Sequence, residues 1–168
     1  MTKSVAFAGM MLVGMLAISN TAQAAKPKAA PPAAAPARDW TPADANKAIA
    51  KSYPALLAAC KKSHIDENCS FLKSAADYAS QKDVKKRGVL AEQIMHFYLG
   101  KEAKQEINLP SAKADKLTAA YAAQKAAKAK TWPTTLFAEA VSEITALLVN
   151  NINQSNRANF APVLAGLK

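Results

Sequence analysis

Residues 137–152 read Phe-Ala-Glu-Ala-Val-Ser-Glu-Ile-Thr-Ala-Leu-Leu-Val-Asn-Asn-Ile, and this stretch decides the fold class. Phe137, Ala140, Val141, Ile144, Leu147, Leu148 and Ile152 recur at intervals of three and four residues. That spacing lines one face of a helix, whereas a strand would alternate every second residue. A helix is predicted from about Thr134 to Asn153, with its apolar stripe against a core. Before it, Trp132-Pro133 predicts an extended boundary, because proline keeps the preceding residue out of the α region. After it, Asn159 is expected to cap a last short helix with Pro162 in its first turn. Phe160, Val163, Leu164 and Leu167 would form the buried face of that helix.

Toward the N-terminus the same period repeats. Ser111, just after Pro110, opens a predicted helix through Lys130 that carries only Leu117 and Tyr121 as large apolar groups. It is expected to be the most exposed helix. A further helix is predicted from about Asp83 to Leu99, closed by Gly100, with Val84, Gly88, Ala91, Met95 and Tyr98 as one stripe. Leu90, Ile94 and Phe97 widen that stripe. Phe71, Leu72, Ala75, Ala76 and Ala79 mark another amphipathic run ending near Ser80. Thr41, Pro42 and Asp44 form a helix start, with a capping hydroxyl, a proline in the first turn and an acid behind it. Ala45, Ile49, Tyr53, Leu57 and Cys60 continue that face, and Pro54 is expected to kink or split the helix.

Cys60 and Cys69 bracket a short turn between two of these helices. In an oxidising compartment an even pair this close reads as a disulfide, and the lack of Cys-x-x-Cys removes a thiol-redox motif. The fold class is therefore all-α: a small antiparallel bundle of four to six helices with one disulfide-pinned hairpin. Short connections and the absence of a second apolar run leave no predicted transmembrane segment.

Ahead of the bundle, residues 1–24 carry Lys3, an apolar run from Val5 to Ile18 and the small-x-small ending Ala22-Gln23-Ala24. This layout reads as a cleaved signal peptide and places the chain in the periplasm, with secretion as the alternative. Residues 25–38 are rich in proline, alanine and lysine and read as a disordered spacer. One domain over 39–168 follows. The 168 residues carry 22 Lys and Arg against 12 Asp and Glu, a net charge of +10. Lysine supplies nearly all of it, the arginines being Arg38, Arg87 and Arg157. Lysine gives diffuse, solvated charge, while arginine gives bidentate recognition, so specific phosphate or nucleic-acid reading is not expected.

No residues assemble into a catalytic motif, and the chain reads as a non-enzyme without cofactor or metal. Glu92 and His96 stand four apart on one helix face, but a third catalytic member is missing, so structural pairing is the favoured account. His64, between the cysteines, reads as a solvated loop residue. Glu139 and Glu143 share a face that reads as solvated surface. Lys85, Lys86 and Arg87 follow Asp83; cations in a helix's first turn oppose its dipole. The favoured account starts that helix a turn later and leaves the three in a loop, the alternative being an anion site.

The function expected from these features is an exported helical binding protein of immunity, inhibitor, chaperone or secretion-accessory type. Its expected partner is an acidic envelope or secreted protein, with anionic polymers or lipid head groups as further candidates. The nominated binding face joins Lys61, Lys62, Lys85, Lys86 and Arg87 with Trp40 and Trp132, although both tryptophans read at least as well as core anchors. A small enzyme acting on wall or lipid substrates, built on Glu92 and His96, is the alternative, and an envelope-stress role is the third.

Overall fold

Pro54 has no N–H to offer the carbonyl four residues back, and the first helix breaks beside it. In the computed structural model, which describes residues 38–100, 103–127 and 131–167, α1 spans Pro42–Lys51 and α2 spans Tyr53–Lys62. Ser52 lies between them in a non-helical conformation. The expected leader, and the spacer up to residue 37, lie outside the described residues.

The expected start of α1 is present in full. The Thr41 hydroxyl accepts from the Asp44 N–H while the Asp44 carboxylate accepts from the Thr41 N–H at 3.0 Å, a reciprocal capping box. Arg38 adds a two-pronged contact to the same carboxylate, both bonds at 2.7 Å. These partners hold the Asp44 carboxyl well below the usual carboxylate range, the Arg38 guanidinium contributing most. The sign follows: Asp44 stabilises the fold above its unfolded pKa of about 3.9, and that contribution is lost as the pH falls toward the lower folded value. At neutral pH D44N is expected to cost about 1–2 kcal/mol. The melting-temperature gap between D44N and the unaltered chain is expected to close below about pH 4. A gap constant from pH 7 to pH 2.5 would show that the carboxylate contributes nothing as an ion.

α2 ends in a tight turn that explains His64. The Ile65 N–H reaches back to the Cys60 carbonyl at 3.1 Å and the His64 N–H to the Lys61 carbonyl at 3.2 Å. This is the paired bonding that closes a helix through a left-handed residue, and His64 has φ 55°. Ile65 is buried against the end of the helix. His64 is exposed, in keeping with the loop reading, yet its backbone sets the turn. Glycine takes this conformation without a Cβ penalty, so His64→Gly is expected to stabilise the protein by about 1 kcal/mol in denaturant titration. The Cys60–Cys69 disulfide crosses the turn, with Cα atoms 6.6 Å apart, and joins the end of α2 to the start of α3 (Asp66–Ser80).

α3 is the central helix. It packs on α1, α2, α4 and α6 and buries Cys69, Phe71, Leu72, Ala75 and Tyr78. α4 covers Val84–Ile94 and passes directly into a π turn, Met95–Leu99, that ends at Gly100. α5 (Ser111–Ala126) buries only Leu117 among its side chains, which matches its expected exposure. α6 (Ala138–Asn151) supplies Ala140, Ile144 and Leu148 to the core. A second π turn, Ile152–Asn156, leads from it straight into α7 (Arg157–Ala165). The expected separate helix capped by Asn159 is corrected here: Asn159 lies inside α7, and so does Pro162. Counting α6, its π turn and α7 as one rod, the described residues form six helical rods and no strand. The expected all-helical bundle with a disulfide-pinned hairpin is what the chain forms.

Trp40 closes the bundle where α1 begins. It is 2% exposed, meets Phe160 edge-to-face at 5.7 Å, and exchanges two backbone bonds with the Asn153 amide. The two ends of the domain are thereby tied to each other.

Candidate functional site

The structure does not assemble the nominated basic and aromatic residues into one face. Lys61 and Lys62 occupy the last turn of α2, where cations complement the helix dipole. Lys85 and Lys86 lie in the first turn of α4, beyond the other end of the 15-residue α3. That helix alone is about 22 Å long, so the two lysine pairs form no common patch. Trp40 is a core anchor and leaves the binding face on burial alone.

Arg87 and Trp132 are also fixed internally. Arg87 donates to the Gln81 carbonyl through Nε at 2.8 Å and to the Trp132 carbonyl at 2.6 Å. Trp132 stacks obliquely on Tyr121, 5.8 Å between centroids, and lies against Gly88. A Cβ at position 88 would sit 2.6 Å from the indole nitrogen, so glycine is what lets the ring approach α4. Next to it the Tyr78 hydroxyl donates to the Pro133 carbonyl at 2.7 Å. Burial pushes the Tyr78 phenol up to about 12. Arg87, Gly88 and Tyr78 together clamp the extended 132–133 segment onto α3 and α4.

The start of α4 corrects both accounts of Lys85-Lys86-Arg87. The helix begins at Val84, so these residues are not a loop. Asp83 caps it, its Oδ1 accepting from the Lys85 N–H at 2.8 Å and the Lys86 N–H at 3.1 Å. Those bonds, the Lys86 amide's first, hold the Asp83 carboxyl below its ordinary value. An external anion would find the amides already taken, and the anion-site alternative falls with the loop.

Glu92, weighed for chemistry, and Glu139 and Glu143, read as solvated surface, each pair with a lysine of α5. Glu92 pairs with Lys125 of α5 at 2.9 Å, not with His96, and that contact lowers its carboxyl. Glu139 pairs with Lys116 at 2.6 Å, and Glu143 pairs with Lys113. The lysines of α5 thus reach carboxylates of α4 and α6, through contacts that stay largely solvated at Lys116 and Lys125. Among the described residues no group of three His, Cys, Asp or Glu is placed to hold a metal, and no helix is long and apolar enough to cross a membrane.

What the sequence missed is the outer side of α4. Val89 is 56% exposed and Phe97 41%, although α-helical spacing puts Phe97 beside the core stripe. The cause is the π turn. Its i→i+5 winding advances each residue through a smaller angle, keeping Tyr98 inward while Phe97 rotates out. Two shallow grooves run along this side and share Leu90 and Gln93. One, of about 540 Å³, is bounded by Phe97, Asp77 and Lys104; the other, of about 400 Å³, by Lys85, Lys86 and Val89. Together they give a solvent-facing, apolar-centred surface with basic ends on a rigid helical support. The first groove also carries the polar side chains of Ser74, Tyr98 and Gln105.

The described residues thus define an all-helical domain. Residues 55–155, more than half of the chain, match the Regulator of G protein signaling domain. The chain belongs to that family. No curated protein matches it. The matched span begins in α2 and ends in the second π turn, so it includes α3, α4 and the exposed α4 side. Family membership overturns the expected exported envelope-binding protein. The signal-peptide, periplasmic and secreted reading, the acidic envelope or secreted partner, the anionic polymers and lipid head groups, and the wall-enzyme and envelope-stress alternatives are all corrected by it.

Proposed function

We propose that this chain binds the Gα subunit of a G protein and accelerates its GTP hydrolysis. The observation that carries the reading is the match to the Regulator of G protein signaling domain over residues 55–155. The chemistry fits a helper that brings no catalytic side chain. A Gα subunit carries its arginine in cis and a glutamine that orients the attacking water. What it lacks is a fixed arrangement of mobile switch segments. A rigid surface that favours the hydrolytic arrangement lowers the barrier by positioning alone. The bundle supplies such rigidity: α3 is packed on four other helices and the 132–133 segment is clamped by Tyr78 and Arg87.

The test is single-turnover GTP hydrolysis by purified Gα subunits with and without residues 38–168. A rate increase of at least about tenfold, saturable in the added chain, is the expected result. An unchanged rate together with no detectable binding to any Gα subunit would overturn the proposal.

A further inference from the structure

We infer that the groove between α3 and the π turn after α4 binds a small aromatic carboxylic acid in its anionic form. The inference goes beyond the Gα reading and does not depend on it.

The groove holds about 540 Å³, within the range that takes small organic ligands. Its apolar lining is the buried Ile94, the half-buried Leu90 and the Phe97 ring. The ring is there because of the π turn, a device found frequently at functional sites. Regular α winding would leave Phe97 beside the core stripe, whereas the wider turn carries it to the groove, 41% exposed. Backbone bonds hold this shape. The Gln105 N–H donates to the Phe97 carbonyl at 3.1 Å and the Ile107 N–H to the Tyr98 carbonyl at 3.2 Å. They fix the 103–107 segment on the π turn, so that Lys104 and Gln105 line the groove beside Phe97.

The polar groups already satisfied leave a short remainder. On the α3 side the Ser74 hydroxyl donates to the Ser70 carbonyl at 3.0 Å and lies 3.3 Å from the Tyr98 hydroxyl. Asp77 is held by Lys73 through both carboxylate oxygens, at 2.5 and 2.6 Å. Lys104 has no ion-pair partner among the described residues, and its ammonium lies 6.0 Å from the Phe97 ring centroid. Gln93 and Gln105 add side-chain amides that make no hydrogen bond among the described residues. One cation and two amides beside an aromatic ring therefore await a partner. An aromatic ring stacked on Phe97, centroids about 4.5–7 Å apart, brings a carboxylate on its own edge within reach of the ammonium. The Gln93 and Gln105 amides can then donate to the remaining carboxylate lone pairs. A cationic ligand would be repelled by Lys104, and a neutral hydrocarbon would leave all three polar groups unused.

The experiment titrates the full chain with 2-naphthoate and follows the backbone amide shifts by NMR. Saturable binding with Kd of about 1 mM or tighter is expected for a ligand of this size, with shifts centred on residues 93–105. F97A is expected to weaken it about fivefold to tenfold, and to keep the helical circular dichroism because the ring is on the surface. K104Q is expected to weaken it about fivefold. The uncharged isostere 2-naphthamide is expected to bind about fivefold more weakly and to be indifferent to K104Q. K61Q/K62Q, at the far end of α3, is expected to bind 2-naphthoate normally. Equal binding of the acid and the amide, or a loss in K61Q/K62Q equal to that in K104Q, would overturn the site. So would a response that does not saturate, or shifts centred away from the groove.

Discussion

Phe137→Ala is expected to destabilise the domain by about 4 kcal/mol, the middle of the range for truncating a buried phenylalanine. Phe137 is 2% exposed and stands between two other aromatic rings. Tyr78 meets it edge-to-face at 4.9 Å and 85°, and Phe71 at 6.5 Å and 84°. Such edge-to-face pairs contribute about 0.5–1.5 kcal/mol each beyond the burial of their area. The ring sits at the start of α6, where its contacts with α3 dock the two central helices. Truncation leaves a cavity among residues that are themselves fully buried, and a helix-on-helix junction cannot collapse far to refill it. Calorimetry is expected to show a fall of roughly 15 °C in Tm. Phe97→Ala makes the contrast. That ring is 41% exposed, and its loss is expected to change stability by less than about 0.5 kcal/mol. A loss below about 1.5 kcal/mol for Phe137→Ala would mean that the three rings are not the centre of the core. The two phenylalanines differ in what surrounds them: one holds the bundle, and the other lies on its surface.

The helices were legible because their signals are local. The Thr41–Asp44 box, the break at Pro54 and the stripe of α6 each depend on residues within a few positions of one another. The disulfide followed from the close spacing of two cysteines joined to the oxidising compartment expected of an exported chain. The join of α6 to α7 was not legible. A π turn preserves the approximate apolar spacing through Ile152 and carries no composition signature, so Pro162 read as a new start. Its missing N–H faces the carbonyl of Ala158, an exposed residue, which limits the cost of keeping proline inside the helix.

The candidate site was hidden for a related reason. Charge along a sequence does not reveal pairing across it. Lys113 and Glu143 are 30 residues apart, and Lys125 and Glu92 are 33. Lysines of α5 pair across helices while remaining largely solvated, and Lys85 and Lys86, which looked like loop residues, sit on an ordered helix. Phe97 belongs to the core by α periodicity and leaves it by one turn of π winding. The partner class was not legible at all. It entered through family membership, because a docking surface shows what kind of chemistry fits it and not which protein carries that chemistry.

Replacing both cysteines, C60S/C69S, is expected to cost about 2.5–3 kcal/mol, the loop-entropy value for a ring of some ten residues. The native hairpin is expected to survive the loss. Its turn is set independently by the bonds from Ile65 to Cys60 and from His64 to Lys61, and Ile65 remains buried. The cross-link therefore acts mainly by restricting the unfolded chain. Helical circular dichroism at 25 °C is expected to be unchanged, with the denaturation midpoint lowered. Thiol-reducing conditions applied to the unaltered chain are expected to give the same shift. Removing His64's strain in the same background, with H64G, is expected to recover about 1 kcal/mol of it. Gα binding offers the sharper discrimination. Because the hairpin keeps its turn without the cross-link, C60S/C69S is expected to bind with unaltered affinity below its melting temperature. A folded C60S/C69S variant that no longer binds would place part of the Gα contact at the hairpin itself.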